Sequence, residues 1–279
     1  ALDNLIADPQ GEGIPRADVI IEAVFEKLEV KQHIFQMLEK TAKKDALLAT
    51  NTSSIPLHQI ADVMDDTSRL VGIHFFNPVP LMELVEVVRS ETSSQYVVDK
   101  ACAFVGQISK LPLPVKSSPG FLVNRVLMPY LLESVQLLEE GIEPEVIDKA
   151  AKDFGMMMGP IELADTVGID VCLAVAQNLT QSFGGTVPHI LKDKVTSGHL
   201  GKKSGQGFYQ YKNGKPIKSN VSKMTIAQDI AQRLIMRMVN EAAVCLREGV
   251  VADADLLDAG MLFGTGFAPF RRGPMHYAN

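Results

Sequence analysis

The chain has 279 residues, 46% of them hydrophobic and 22% charged, enough for about two globular domains with a sizeable core. Its net charge of −6 provides no general basic field, so nucleic acid is not an expected partner. Cys102, Cys172 and Cys245 are far apart and form no CxxC or Cys/His cluster, which excludes a disulfide scaffold and a zinc site, and no apolar run of ~18 residues is present to span a membrane.

Residues 1–17 are polar and broken by Gly11, Gly13 and Pro15. Asp18 to Val24 then reads as a buried strand, and residues 28–44 as a helix with Val30, Ile34, Met37 and Leu38 on one face. Ala46 to Thr50 is a second strand, Ile55 to Met64 a short helix, Leu70 to Ile73 a third strand and Leu84 to Val88 a fourth. Tyr96 to Ser109 is a helix, and Leu111 to Val115 the last strand. Such alternation predicts a mostly parallel sheet with helices on both faces, an α/β domain over residues 1–117.

The pattern changes after Ser117. Ser118 is placed to cap a helix beginning at Pro119, and from there the chain reads as almost all helical. Residues 201–209 form a basic, Gly-rich loop, and Lys212 to Thr225 a polar linker. The helical part repeats itself. Glu133, Leu138-Glu139-Glu140-Gly141, Ile147-Asp148, Phe154-Gly155 and Pro160 are matched in order by Glu241, Leu246-Arg247-Glu248-Gly249, Leu257-Asp258, Phe263-Gly264 and Pro269. The expected divisions are 118–212 for one helical copy and 225–279 for the second.

Ligands in open α/β sheets bind beyond the carboxyl ends of the strands. The first strand here runs into Phe25-Glu26-Lys27 and Lys31, the second into Asn51-Thr52-Ser53-Ser54, the third into His74 and Asn77. Glu86 lies inside an apolar strand, where an ionised carboxylate is costly without a partner, and His74 is the nearest suitable one. A carboxylate holding one imidazole nitrogen fixes the tautomer and raises the basicity of the other, which makes a general base. A core histidine satisfied by backbone is the plain alternative for His74, as helix capping is for Ser53. Asn124 shares a helical face with Phe121, Leu127, Met128 and Leu131, where its amide needs either a structural or a substrate partner. A dinucleotide-binding turn, G-x-G-x-x-G between strand and helix, is missing from this sequence; Gly11-Glu12-Gly13 and Gly264-Thr265-Gly266 lack that context.

Ile21-Glu22-Ala23-Val24-Phe25-Glu26, Asn51-Thr52-Ser53-Ser54, Gly72-Ile73-His74-Phe75-Phe76-Asn77-Pro78, Ser118-Pro119-Gly120-Phe121-Leu122-Val123-Asn124-Arg125 and Gly201 to Tyr209 together resemble the L-3-hydroxyacyl-CoA dehydrogenase family. The second helical copy is similar to the duplicated domain of multifunctional fatty-acid oxidation alpha subunits. The resemblance implies a fold of α/β plus all-α class: an incomplete Rossmann-type NAD-binding domain, then a duplicated helical domain. It implies NAD-dependent oxidation of an L-3-hydroxyacyl-CoA in fatty-acid β-oxidation. By position, His74 matches the catalytic base and Glu86 its carboxylate partner. Ser53 and Asn124 match substrate-binding residues. Ala23, Glu26, Lys31, Ser53, Asn77 and Lys203 match contacts to NAD, and no metal is implied. The family's Gly-rich turn precedes the position where this chain starts, so a piece of a longer protein is expected. A thiolase subunit as partner, a cytoplasmic location, and a monomeric state enforced by the second helical copy are further expectations. Two other readings compete: a non-catalytic acyl-CoA-binding or assembly module, and another hydroxyacid dehydrogenase of the same architecture.

Overall fold

A computed structural model describes residues 4–219 and 228–279 of the chain. The chain divides into two compact units, Ala1–Ser117 and Ser118–Asn279.

The first unit is built on five strands, β1 (Val19–Glu22), β2 (Leu47–Thr50), β3 (Leu70–Phe75), β4 (Leu84–Arg89) and β5 (Leu111–Lys116), which lie side by side in that order. All pairings are parallel except β3 with β4. Three helices accompany them: α1 (Leu28–Thr41), α2 (Leu57–Ala61) and α3 (Gln95–Gln107). Period-two alternation sorts the strand residues. Leu47, Ala49, Val71, Ile73, Val85 and Val87 face Val97, Val98, Ala101 and Val105 of α3 and form a closed apolar core. The opposite face carries Gly72 and Val88, which are register partners. A Cβ on Gly72 would stand 2.8 Å from Val88 Cβ and 3.7 Å from Leu57 of α2, so only glycine fits there. The same face carries Glu22, Thr50, His74 and Glu86, all buried. β1 is an edge strand, and its Val19, Ile20 and Ile21 are only half-buried.

The second unit contains α4 (Val123–Glu139), α5 (Pro144–Phe154), α6 (Pro160–Val167), α7 (Ile169–Phe183), α8 (His189–Thr196), a hairpin of β6 (Gln210–Lys212) and β7 (Lys215–Ile217), then α9 (Gln228–Arg247), α10 (Ala254–Thr265) and α11 (Pro274–Ala278). No helix among the described residues is long and apolar enough to cross a membrane.

Three expectations need correction here. Ser118 does not cap a helix at Pro119. Gly120 and Phe121 take left-handed φ values of 73° and 52°, and the helix starts only at Val123; Phe121 thus precedes it and does not share the Asn124 face. The start of the polar linker is instead a β-hairpin, because Asn213 and Gly214 both adopt positive φ and close a two-residue turn. Residues 220–225 of that linker lie outside the described residues. The repeat register also changes. Phe263-Gly264 lies inside α10, which is closed by Gly266 in the left-handed conformation, as Gly155 closes α5. Asp148 accepts the N–H of Ile161 at 2.8 Å just after Pro160, and Asp258 accepts the N–H of Met275 at 2.7 Å just after Pro274. A Cβ on Gly159 would run into Asp148 and one on Gly273 into Asp258. Pro160 therefore corresponds to Pro274, not Pro269.

The two copies meet along α4 and α9. Arg125 binds Glu241 and Glu248, each at 2.7 Å. Arg233 in turn binds Glu133 and Glu140, each at 2.7 Å. Arg125, Glu133 and Glu140 have the same spacing as Arg233, Glu241 and Glu248, so each copy offers the other the same groups. That reciprocity is the signature of a two-fold contact.

Candidate active site

Antiparallel register places His74 directly opposite Glu86, on one face of neighbouring strands. Side chains at such positions stand within reach of each other. His74 Nδ1 lies 2.8 Å from Glu86 Oε2, with the histidine 3% and the glutamate 0% exposed. On the other side of the ring, Nε2 lies 3.1 Å from Ser53 Oγ. An ionised Glu86 accepts the Nδ1 proton, which leaves the Nε2 lone pair facing the serine hydroxyl. The Phe76 ring meets the imidazole edge-on at 4.7 Å and closes its flank.

Ser53 reaches His74 because β2 and β3 are parallel neighbours and their carboxyl ends share an edge. Asn51 ties these ends together, its Oδ1 accepting the Phe75 N–H at 3.0 Å. At the end of β1, Glu26 accepts the backbone N–H of Ser53 at 3.0 Å and of Ser54 at 3.1 Å, and the Thr52 hydroxyl. Burial alone would raise the Glu26 carboxyl. The Thr52 hydroxyl, the Lys31 ammonium and the Ser53 N–H outweigh it and hold the group below the usual carboxylate range.

Lys31 is 1% exposed. Its ammonium lies 2.8 Å from Glu22 and 3.3 Å from Glu26, so it is enclosed by two carboxylates. Ala23 and Asn77 are exposed on the two loops beyond β1 and β3, and the Asn77–Pro78 peptide is cis.

Asn124 and Lys203 belong to the second unit. Asn124 is half-buried in the first turn of α4. Lys203 sits in a short 3-10 turn, Lys202–Ser204, and pairs with Asp170 at 2.6 Å. That turn is anchored by Asp165, a residue sequence reasoning passed over. Its carboxylate accepts the N–H groups of Phe208 at 2.8 Å and Tyr209 at 2.9 Å; a Cβ at Gly207 would collide with that carboxylate, and one at Gly201 with the Asp165 backbone. Burial outweighs these donors and lifts the Asp165 carboxyl above its ordinary value. Glu22 and Thr52 were also missed as residues of their own. Glu22 offered the same signal as Glu86, an acid inside an apolar strand.

Residues 2–118 match the model of the 3-hydroxyacyl-CoA dehydrogenase NAD binding domain, and residues 120–211 that of the 3-hydroxyacyl-CoA dehydrogenase C-terminal domain. The chain belongs to the 3-hydroxyacyl-CoA dehydrogenase family. It is 39% identical over 277 residues to the fatty acid oxidation complex subunit alpha of Vibrio cholerae, an alignment covering 95% of this chain and 39% of that protein. The chain therefore spans about two-fifths of the length of the curated relatives it matches. Among solved structures, 3-hydroxybutyryl-CoA dehydrogenase from Escherichia coli superimposes with a TM-score of 0.82 at 28% identity, covering 95% of this chain and 75% of that one. The (S)-3-hydroxybutyryl-CoA dehydrogenase PaaH1 from Ralstonia eutropha gives a TM-score of 0.69 at 36% identity, covering 72% of each chain.

The family's nucleotide fits the described residues in part. A nicotinamide and its ribose need clustered donors and acceptors at a strand edge, and Glu26, Ser53 and Asn77 stand around that edge. The phosphate-binding Gly turn is absent from the described residues: Gly11 and Gly13 precede a 3-10 turn, and Gly264 and Gly266 end α10.

Proposed function

We propose that the chain supplies the proton-transfer machinery for NAD-dependent oxidation of an L-3-hydroxyacyl-CoA to the 3-ketoacyl-CoA. The arrangement that carries this reading is the Glu86–His74–Ser53 line, with contacts of 2.8 Å and 3.1 Å on opposite sides of one imidazole. His74 Nε2 removes the proton from the C3 hydroxyl. Glu86 holds the Nδ1 proton and stabilises the imidazolium that results. Ser53 Oγ hydrogen-bonds the substrate oxygen and keeps it within reach of Nε2. NAD⁺, when bound, accepts the hydride leaving C3. Glu26, Ala23, Lys31, Asn77 and Lys203 are proposed for the cofactor and Asn124 for the substrate, by their positions in the family motifs. Lys31 serves indirectly, since its ammonium is spent on Glu22 and Glu26.

The relatives' name, subunit alpha of a complex, supports an assembly role in which a thiolase subunit is the proposed partner and the cytoplasm the proposed location. The α4–α9 contact supports a single chain doing what two copies do in a dimer. His74→Ala tests the central reading. In the full-length protein it is expected to lower kcat by about 10²–10⁴-fold, the usual worth of a general base, with the fold retained. Undiminished turnover of a saturating 3-hydroxyacyl-CoA removes the reading. A protein that binds acyl-CoA but turns over nothing favours the assembly module, and oxidation of free hydroxy acids favours the other dehydrogenase.

A further inference from the structure

Ser53 lies in an irregular, half-buried turn between β2 and α2. Neither strand nor helix hydrogen bonds fix such a turn, so something else must aim its hydroxyl at His74. One carboxylate oxygen does so. Glu26 Oε1 accepts the Thr52 hydroxyl, the N–H groups of Ser53 and Ser54, and the Ser54 hydroxyl at 3.2 Å. A carboxylate oxygen has about two lone-pair sites, so these donors fill Oε1. Oε2 is turned to the Lys31 ammonium at 3.3 Å. That ammonium is held by both oxygens of Glu22, at 2.8 and 3.0 Å. Glu22 is in turn anchored by the Thr50 hydroxyl and the Val24 N–H, both at 2.7 Å. An unbroken line of charge-assisted contacts therefore runs from buried strand β1 to the serine turn.

We propose that Glu26 is a positioning residue for this dehydrogenase: its carboxylate holds the Thr52–Ser54 turn so that Ser53 Oγ points at His74 Nε2, and it acts on the reaction through Ser53. The proposal rests on the reading of His74 as the base. It differs from a cofactor-contact role in what each predicts. A cofactor contact acts on nucleotide affinity, whereas a turn anchor acts on kcat and has nothing left to do once Ser53 is removed.

The test is a double-mutant cycle of Glu26→Gln and Ser53→Ala in the full-length protein, with steady-state kinetics and NADH titration. In Glu26→Gln the new amide opposes the Lys31 ammonium, donor against donor, and the turn loses its charged acceptor. The expected result is a fall in kcat of about 100-fold at saturating NAD⁺, the cost of misplacing a reacting group by an ångström, over and above any change in the NADH dissociation constant. In the Ser53→Ala background the same change should lower kcat no further. Glu26→Asp, which keeps the carboxylate, should recover part of the loss. Thr52→Val removes one donor of the turn without touching any acid, and should lower kcat non-additively with Ser53→Ala. Additive losses, or a loss confined to nucleotide affinity, overturn the proposal. Wild-type kcat in both Glu26→Asp and Thr52→Val does so too, even where Glu26→Gln is unfolded. His74→Ala separates the two levels. If it abolishes turnover while Glu26 and Ser53 act additively, only the positioning role fails; if it leaves turnover intact, the base assignment fails and the positioning role with it.

Discussion

Replacing Glu86 by glutamine isolates the charge from the hydrogen bond. The amide oxygen can still accept from His74 Nδ1, and volume at this fully buried position is nearly unchanged. What is lost is the attraction between a carboxylate and the imidazolium formed as the substrate proton arrives. With charge centres about 4 Å apart and an effective dielectric of about 20, that attraction is about 4 kcal/mol. The amide dipole returns part of it, leaving a deficit of about 2–4 kcal/mol, because a charged partner makes the stronger hydrogen bond. At 1.4 kcal/mol per decade, kcat should fall by a factor between about 30 and about 700. The positive charge arises only as the proposed base takes the substrate proton, so the loss belongs to the transition state and KM should hardly move. The assay is NADH formation from a 3-hydroxyacyl-CoA by the full-length Glu86→Gln protein, with near-ultraviolet circular dichroism to show that the fold persists. An unchanged kcat, or a loss carried wholly by KM, would refute the argument that Glu86 stabilises the imidazolium.

Two predictions concern the helical unit. The Arg125 side chain is 3% exposed and Arg233 37% exposed, although they occupy matching positions in the two copies. Arg125→Ala should therefore destabilise the unit by about 3 kcal/mol, as breaking a buried pair does. Arg233→Ala should cost no more than about 1 kcal/mol, and urea unfolding of both variants measures the difference. Cys172 has its thiol pushed up to about 12 by burial, with the nearby Asp170 and Asp165 acting in the same sense. Iodoacetamide should leave it unmodified in the native protein at neutral pH and label it only on unfolding, as peptide mass spectrometry would show.

The sheet was legible because β2, β3 and β4 are short apolar runs with polar stops, and the His74–Glu86 pair because an acid inside such a run demands a partner. Ser53 could be suspected from its place at a strand end. Its distance to His74 could not be read, since that depends on β2 and β3 being adjacent. The anchoring of the serine turn by Glu26 spans 27 positions and leaves no periodic trace. Other misses had visible signals. Asn213-Gly214 is a strong two-residue hairpin sequence, but its flanking strands of three residues each are too short to show an alternating pattern. The apolar spacing of the helix continues back through Phe121 and hides its true start, which Gly120 and Phe121 at positive φ delay to Val123. The register of the internal repeat slipped because prolines at positions 269 and 274 both begin short helical turns. The contact with Asp258 tells them apart, as does the glycine before Pro274, which matches Gly159 before Pro160.

The reciprocal ion pairs between α4 and α9 have an evolutionary consequence. In a pair of identical chains every substitution strikes both halves at once, so a change that helps one side of the seam is imposed on the other. Here the two halves are written in separate stretches of the same polypeptide and are free to diverge. Arg125 has the ring of Phe183 over it, whose centroid lies 4.1 Å from its guanidinium carbon, while Arg233 remains more than a third exposed. One copy has become a sheltered hub and the other an adjustable surface.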